Sequence, residues 1–295
     1  MSATTATSTA TSTATSTATS TATSTATSTA TSTARGAHYA RTVRTESGGP
    51  GLLLAHGAGG SVEANFGPLL DALAARHSVV GVDYPGAGGT PRSEGPLSLD
   101  ELADQLVAAA DAEGLERFAV LGYSLGGNVA VRVATRYPGR VTALVLTASF
   151  ARAGHGFGLV GELWSELGRR GENELLARLL VPLVLSEEQL EALSPGQLED
   201  AVRGTASTVP PGSGDQAALI KGTDLRAELA GIGVPVLVVE TTRDRLVPRA
   251  AQQELARALP DARRAELPTG HLPFAERPAE WAALVTEFLS GRPAR

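Results

Sequence analysis

From Tyr39 onward, short apolar runs alternate with longer segments whose apolar residues recur at helical spacing. The runs predict strands over 39–45, 51–55, 78–83, 118–121, 141–147, 234–240 and 263–267, each the length of a buried strand. Between them the pattern predicts helices over 99–113, 125–137, 249–259 and 279–289. The first of these follows Ser98, an N-cap residue with Glu101 at the capping-box position, and carries Leu102, Leu106 and Val107 at helical spacing. The second follows a strand directly and stops before Pro138, whose ring disfavours helical backbone in the residue ahead of it. Strands alternating with helices predict an α/β fold, a mostly parallel sheet flanked by helices on both faces.

Two stretches break the alternation. Residues 1–34 are an uncharged Thr/Ser/Ala tract repeating TSTA. Too few large apolar side chains are present to offset the entropy lost on ordering, so 1–36 is expected to be a disordered tail. The first basic residue is Arg35 and no apolar h-region precedes it, so the tract does not read as a secretory signal and the default expectation is cytoplasmic residence. The second stretch, from 148 to 233, shows helical patches at 159–168, 172–180 and 187–193 and no clear strand. A structureless connection of that length does not suit a compact domain, and a small helical insertion over one edge of the sheet is expected instead. Its Phe157, Trp164, Leu180 and Leu183 either line a pocket or form the insertion's own core. The organisation expected is therefore a tail (1–36), one α/β core (37–149 and 226–295) and a helical insertion (150–225).

Composition narrows the chemistry. A hydrophobic share of 42% suits a globular domain with a buried core, and no apolar run approaches the roughly 20 residues that a membrane-spanning helix needs. The formal charge of −6, with arginines scattered along the chain, lacks the basic footprint of a nucleic-acid binder. A small-molecule substrate is the expected partner, with neither nucleic acid nor membrane. The absence of cysteine excludes disulfides, thiolate nucleophiles and Cys-ligated zinc or iron–sulfur sites, which leaves Ser, His and carboxylates.

The strongest signal is Gly122-Tyr123-Ser124-Leu125-Gly126, a G-x-S-x-G set between an apolar strand and an amphipathic helix. Such a motif lifts its serine above the sheet on a sharp, strained turn, while small neighbours let the helix approach and the helix N-terminus aims N–H groups at a developing oxyanion. A serine is a poor nucleophile until a base takes its proton. Of the five histidines, His271 follows the last predicted strand, at the carboxyl edge where sites in open parallel sheets form. His38 lies beside the tail, His56 in a glycine-rich turn, His77 at a helix end and His155 in the insertion. A carboxylate is needed to hold the imidazole in the right tautomer. Asp244 follows the preceding strand, between Arg243 and Arg245, which can keep it ionised; Glu240, within that strand, is the competitor. The oxyanion donors expected are the N–H of Leu125 and, from the turn His56-Gly57-Ala58-Gly59-Gly60, that of Ala58, with Gly59 as the alternative. That turn lacks the Lys and Ser/Thr of a nucleotide-binding P-loop. His56 and Asp83 are assigned to loop structure.

The HGAGG turn, the VDYPGAGGTPRS segment (82–93), the GYSLGG elbow, the DRLVP loop (244–248) and the GHLPFAERP ending (270–278) together resemble the α/β-hydrolase superfamily. The order Ser124, Asp244, His271 agrees with it. Within it the chain is similar to the small lid-bearing serine hydrolases, which include carboxylesterases, lactonases, C–C bond hydrolases and cofactor-free haloperoxidases. Haloalkane dehalogenases and epoxide hydrolases differ, carrying aspartate where this chain has Ser124. The resemblance implies a helical lid and carboxylesterase-like cleavage of a small ester, lactone or related carbonyl substrate through an acyl-enzyme on Ser124, with no metal or organic cofactor. The alternatives are a non-hydrolytic small-molecule binding protein on the same fold and a haloperoxidase- or acyltransferase-like activity in which peroxide or an alcohol replaces water. Two features depart from the family pattern. Only one of its two opening antiparallel strands is legible, and the acid loop reads ETTRD where relatives usually carry a glycine near the strand end.

Overall fold

Eight strands form one sheet in the computed structural model, which describes residues 28–34, 37–45 and 48–291. They are β1 (Ser28–Ala34), β2 (Ala37–Thr45), β3 (Gly51–Ala55), β4 (Ser78–Val82), β5 (Phe118–Tyr123), β6 (Val141–Thr147), β7 (Val236–Thr241) and β8 (Ala262–Leu267). Their order across the sheet is β1-β2-β4-β3-β5-β6-β7-β8, with β2 antiparallel to both its neighbours and the rest parallel.

Strand β1 corrects the expectation of a wholly disordered tail. Ser28–Ala34 pairs with β2 along its whole length, Ser28 opposite Val43 and Ala34 opposite Ala37. The ladder is made by backbone groups, and threonine, β-branched, favours extended backbone, so low-complexity sequence can supply an edge strand. Residues 1–27 and 35–36 of that tract lie outside the described residues.

Parallel strands covered on both faces carry near-continuous apolar runs, and successive residues point to opposite sides. Leu52 and Leu54 of β3, Leu121 and Tyr123 of β5 and Leu237 and Val239 of β7 face one side, where α1 (Val62–Ala74) contributes Phe66 and Leu70. Leu53 and Ala55, Val120, and Val236 and Val238 face the other. There they meet Leu102 and Leu106 of α2 (Leu99–Ala112) and Val129 and Val133 of α3 (Leu125–Arg136). Helix α1 escapes sequence reading because Gly67-Pro68 looks like a break. Burial of Val62, Phe66, Leu69, Leu70 and Leu73 against the sheet carries the helix through Pro68.

Between β6 and β7 the chain forms α4 (His155–Arg170), α5 (Asn173–Val184), α6 (Glu187–Ala192), α7 (Pro195–Thr208), α8 (Ser213–Gly222) and α9 (Arg226–Leu229). A bridge between Arg152 and Asp224, flanked by Ala153 N–H to Thr223 O and Leu225 N–H to Ala151 O, ties the ends of this insertion together. Phe157, Trp164 and Leu180 are buried in a cluster with Leu246 and Val247 of the loop after β7, and Leu183 and Ala58 pack against it. The insertion thus sits over the carboxyl ends of the strands, and these side chains belong both to its own core and to the surface it turns toward the loops. The chain closes with α10 (Arg249–Ala258), α11 (Pro273–Glu276) and α12 (Pro278–Leu289), whose Trp281 and Val285 join the α1 side. None of the helices among the described residues is long and apolar enough to cross a membrane.

Candidate active site

The sheet order reverses around β3: the chain steps to β4 on one side, then crosses to β5 on the other. The chain leaving β3 runs to α1 on one face and that leaving β5 to α3 on the other, which makes this carboxyl edge the topological switch point where ligands usually bind in open parallel sheets. The turn 56–60 and the turn carrying Ser124 both lie at that edge.

Ser124 links β5 to α3 with φ 53° and ψ −122°, a conformation that side-chain-bearing residues rarely adopt. Close packing forces it. A Cβ on Gly122 would strike the Gly126 carbonyl, and one on Gly126 the Ala55 carbonyl, so only glycine lets the helix start lie against the sheet. The turn is held by Ser124 N–H to Thr147 O at 2.9 Å and Gly127 N–H to Ser124 O at 2.9 Å. Ser124 Oγ lies 3.0 Å from His271 Nε2, and His271 Nδ1 lies 2.7 Å from Asp244 Oδ2. With Asp244 accepting, Nδ1 carries the proton and Nε2 is free to accept from the serine. All three residues are buried.

A profile of the family described as alpha/beta hydrolase fold matches residues 50–278. This chain belongs to the α/β-hydrolase family. It is 33% identical over 247 residues to pyrrolizixenacetamide deacetylase of Xenorhabdus hominickii, covering 82% of this chain and 91% of that one. It is 31% identical over 252 residues to the pimeloyl-[acyl-carrier protein] methyl ester esterase of Nitrosomonas europaea, covering 82% and 96%. The crystal structure of the enol-lactonase from Burkholderia xenovorans LB400 superposes with a TM-score of 0.78 at 26% identity, over 88% of this chain and all of that one. The protein is a hydrolase.

In this hydrolase the carboxylate of Asp244 is fixed by donors that sequence reading missed. Oδ1 accepts the N–H groups of Leu246 and Val247, both at 2.9 Å, and Oδ2 accepts the Thr241 hydroxyl at 2.9 Å. Gln252, fully buried on α10, donates to Thr241 Oγ1 and Val247 O and accepts the Thr241 N–H, each at 2.9 Å. The expected arginine partners are not part of this arrangement: Arg243 pairs with Glu188 of α6, and Arg245 is exposed. Glu240 is set apart from the imidazole, buried and paired with Arg264 at 2.5 Å and Arg249 at 3.4 Å. Burial works to raise its carboxyl pKa, but hydrogen bonds from Arg264, Gln253 and Arg249 outweigh it and hold the group below its ordinary value.

The His271 backbone is clamped on both sides. Its carbonyl accepts the Tyr123 hydroxyl at 2.7 Å, and its N–H donates to Val184 O of the insertion at 2.7 Å. Burial, then the Asp244 and Glu276 carboxylates, push the Tyr123 phenol well above its ordinary pKa, so it stays a donor. Glu276 accepts the adjacent Gly270 N–H at 2.9 Å, and burial raises its pKa.

In the turn after β3, the Gly57 N–H goes to Asn65 Oδ1 at 2.9 Å, that of Gly59 to Gln216 Oε1 at 2.8 Å and that of Gly60 to Gly57 O at 3.2 Å. Among the described residues, the N–H groups of Ala58 and of Leu125, the first residue of α3, have no protein acceptor. This favours Ala58 over Gly59 as a donor to a bound group. His56 shapes the same turn: Nδ1 donates to Gly57 O at 2.8 Å and Nε2 accepts the Tyr84 N–H at 2.9 Å. Burial pushes its pKa down to about 4, so it is neutral near pH 7. Asp83 accepts the Val62 N–H at 2.8 Å and that of Gly89 at 3.4 Å, a loop-bracing role. Of the remaining histidines, His77 Nδ1 meets Leu73 O at 3.2 Å, His155 is exposed at the start of α4, and His38 lies in β2.

Proposed function

We propose that this hydrolase cleaves small esters or lactones by two-step acyl transfer with Ser124 as nucleophile. His271 Nε2 takes the hydroxyl proton as Ser124 Oγ adds to the substrate carbonyl carbon. The carbonyl oxygen becomes an oxyanion held by the N–H groups of Leu125 and Ala58, with the positive end of α3 behind it. The imidazolium, stabilised by Asp244, gives its proton to the leaving oxygen as the C–O bond breaks and the acyl-enzyme remains. Water then enters, loses a proton to His271 and attacks the acyl carbon; His271 returns the proton to Ser124 Oγ as the acyl C–Oγ bond breaks, releasing the acid and free Ser124. The helical insertion acts as a lid whose apolar face, Phe157, Trp164 and Leu180 among it, receives a small uncharged acyl or alcohol group.

The observation that carries this reading is the unbroken hydrogen-bond path from Asp244 through His271 to Ser124, at 2.7 and 3.0 Å, beside two N–H groups with no protein acceptor. The test is a panel of short-chain nitrophenyl esters, lactones, amides and β-diketones run on the wild type and Ser124→Ala. Turnover of an ester or lactone, lost in the variant, is expected. Unchanged turnover in Ser124→Ala would reject the nucleophile, and fluorophosphonate labelling of Ser124 with no turnover of any substrate would favour a ligand-binding role.

A further inference from the structure

We propose that Gln216, on α8 of the insertion, is a positioning residue for the oxyanion donors, an inference that rests on Ala58 and Leu125 serving as those donors. Its side chain is fully buried, 157 residues from the turn it touches. Both ends of the amide are used: Oε1 accepts the Gly59 N–H at 2.8 Å, and Nε2 donates to Pro85 O at 3.1 Å.

The geometry of the turn explains why this bond matters. The Ala58 N–H shares a planar peptide with the Gly57 carbonyl, which accepts from His56 Nδ1 and the Gly60 N–H and so directs the N–H the opposite way. The following peptide, Ala58 C=O to Gly59 N–H, is tethered through its N–H to Gln216. Release of that tether frees the ψ rotation at Ala58 and loosens the aim of the donor beside it. Gln216 is itself held firmly. Gly212 N–H donates to Gly86 O at 2.9 Å, Arg92 pairs with Asp215 at 2.7 Å and Trp164 Nε1 donates to Ser213 Oγ at 2.7 Å, so the first turn of α8 is fastened to the loop 84–92 and to α4. The insertion is thereby part of the apparatus that orients the oxyanion site, in addition to covering it.

An oxyanion donor acts on the charge that develops in the transition state, so misaiming it lowers kcat and leaves ground-state binding little changed. Gln216→Met, which keeps the side-chain length and removes both bonds, is expected to lower kcat on a nitrophenyl ester by about 10- to 100-fold with KM within about twofold. Affinity for a trifluoromethyl ketone, which forms a serine-bound oxyanion, should weaken in proportion, with the midpoint of the pH–rate profile unmoved because His271 and Asp244 are untouched. Should the methionine variant not fold, Gln216→Asn, which keeps the amide but falls one methylene short, provides the same reading from kcat at unchanged thermal midpoint. An unchanged kcat in the folded variant, or a raised KM with kcat intact, overturns the proposal, the latter meaning that Gln216 only keeps the insertion seated. Persistent activity in Ser124→Ala is a separate outcome, which instead overturns the reading of the site on which the proposal rests.

Discussion

Ser124 occupies φ 53°, ψ −122°, and the cost of that backbone can be isolated by comparing Ser124→Gly with Ser124→Ala. Both variants remove Oγ and its hydrogen bond to His271 Nε2, so they differ only in the Cβ. A side-chain-bearing residue held in so sparsely populated a region costs on the order of 1–3 kcal/mol, and glycine is free of most of it. Against that, glycine leaves the unfolded chain more conformational freedom, worth about 0.4–1 kcal/mol in favour of alanine. The balance is a glycine variant more stable than the alanine variant by about 1–2 kcal/mol, or a rise in Tm of about 2–4 °C per kcal/mol for a domain of this size class. Urea unfolding followed by circular dichroism measures the difference, and equal slopes in both variants establish that the unfolded state has not shifted. Ester hydrolysis should be absent in both. An alanine variant as stable as the glycine variant would refute the strain, and with it the view that the fold stores energy at the nucleophile.

Two further outcomes follow from the supports of the site. Thr241→Val removes the hydroxyl that donates to Asp244 Oδ2 and leaves Gln252 Nε2 short of an acceptor, so a loss of about 1–3 kcal/mol is expected in urea unfolding. A lower kcat/KM should accompany it, and a variant as stable and as active as the wild type would deny the network a role. His56 is held near pKa 4 when folded against an ordinary 6.5. Between those values the unfolded chain takes up a proton that the folded protein refuses, so stability is full above about pH 6.5 and falls by about 3 kcal/mol by pH 4 on account of this group. Unfolding measured across that range should show a shallower acid dependence in His56→Asn, and identical slopes would show that burial of His56 is not the cause.

What could be read along the chain was whatever local physics writes into consecutive residues. Apolar runs bounded by turn residues reveal β3 and the buried run 144–146 of β6, because a stretch of strand buried on both faces is mostly apolar. The Ser124 turn announces itself because only small flanking residues permit it, and Asp244 and His271 follow from their place after successive strands. Groups that meet across the fold leave no such trace. Thr241 and Gln252 read as ordinary strand and helix polar residues until folding encloses them around Asp244, and Arg243, beside that aspartate in the chain, turns instead to Glu188 on the insertion. Strand β1 was hidden for a related reason: its ladder is built from backbone groups that every residue carries, so a Thr/Ser/Ala repeat offers no apolar pattern to betray it. Gln216 is the extreme case, since its bond to Gly59 spans 157 residues and depends on where the insertion comes to rest. The chemistry available was therefore set by local sequence, while the aim of its donors and the hold on its carboxylate were decided by tertiary packing, because a hydrogen bond's direction depends on both partners and only the folded chain brings them together.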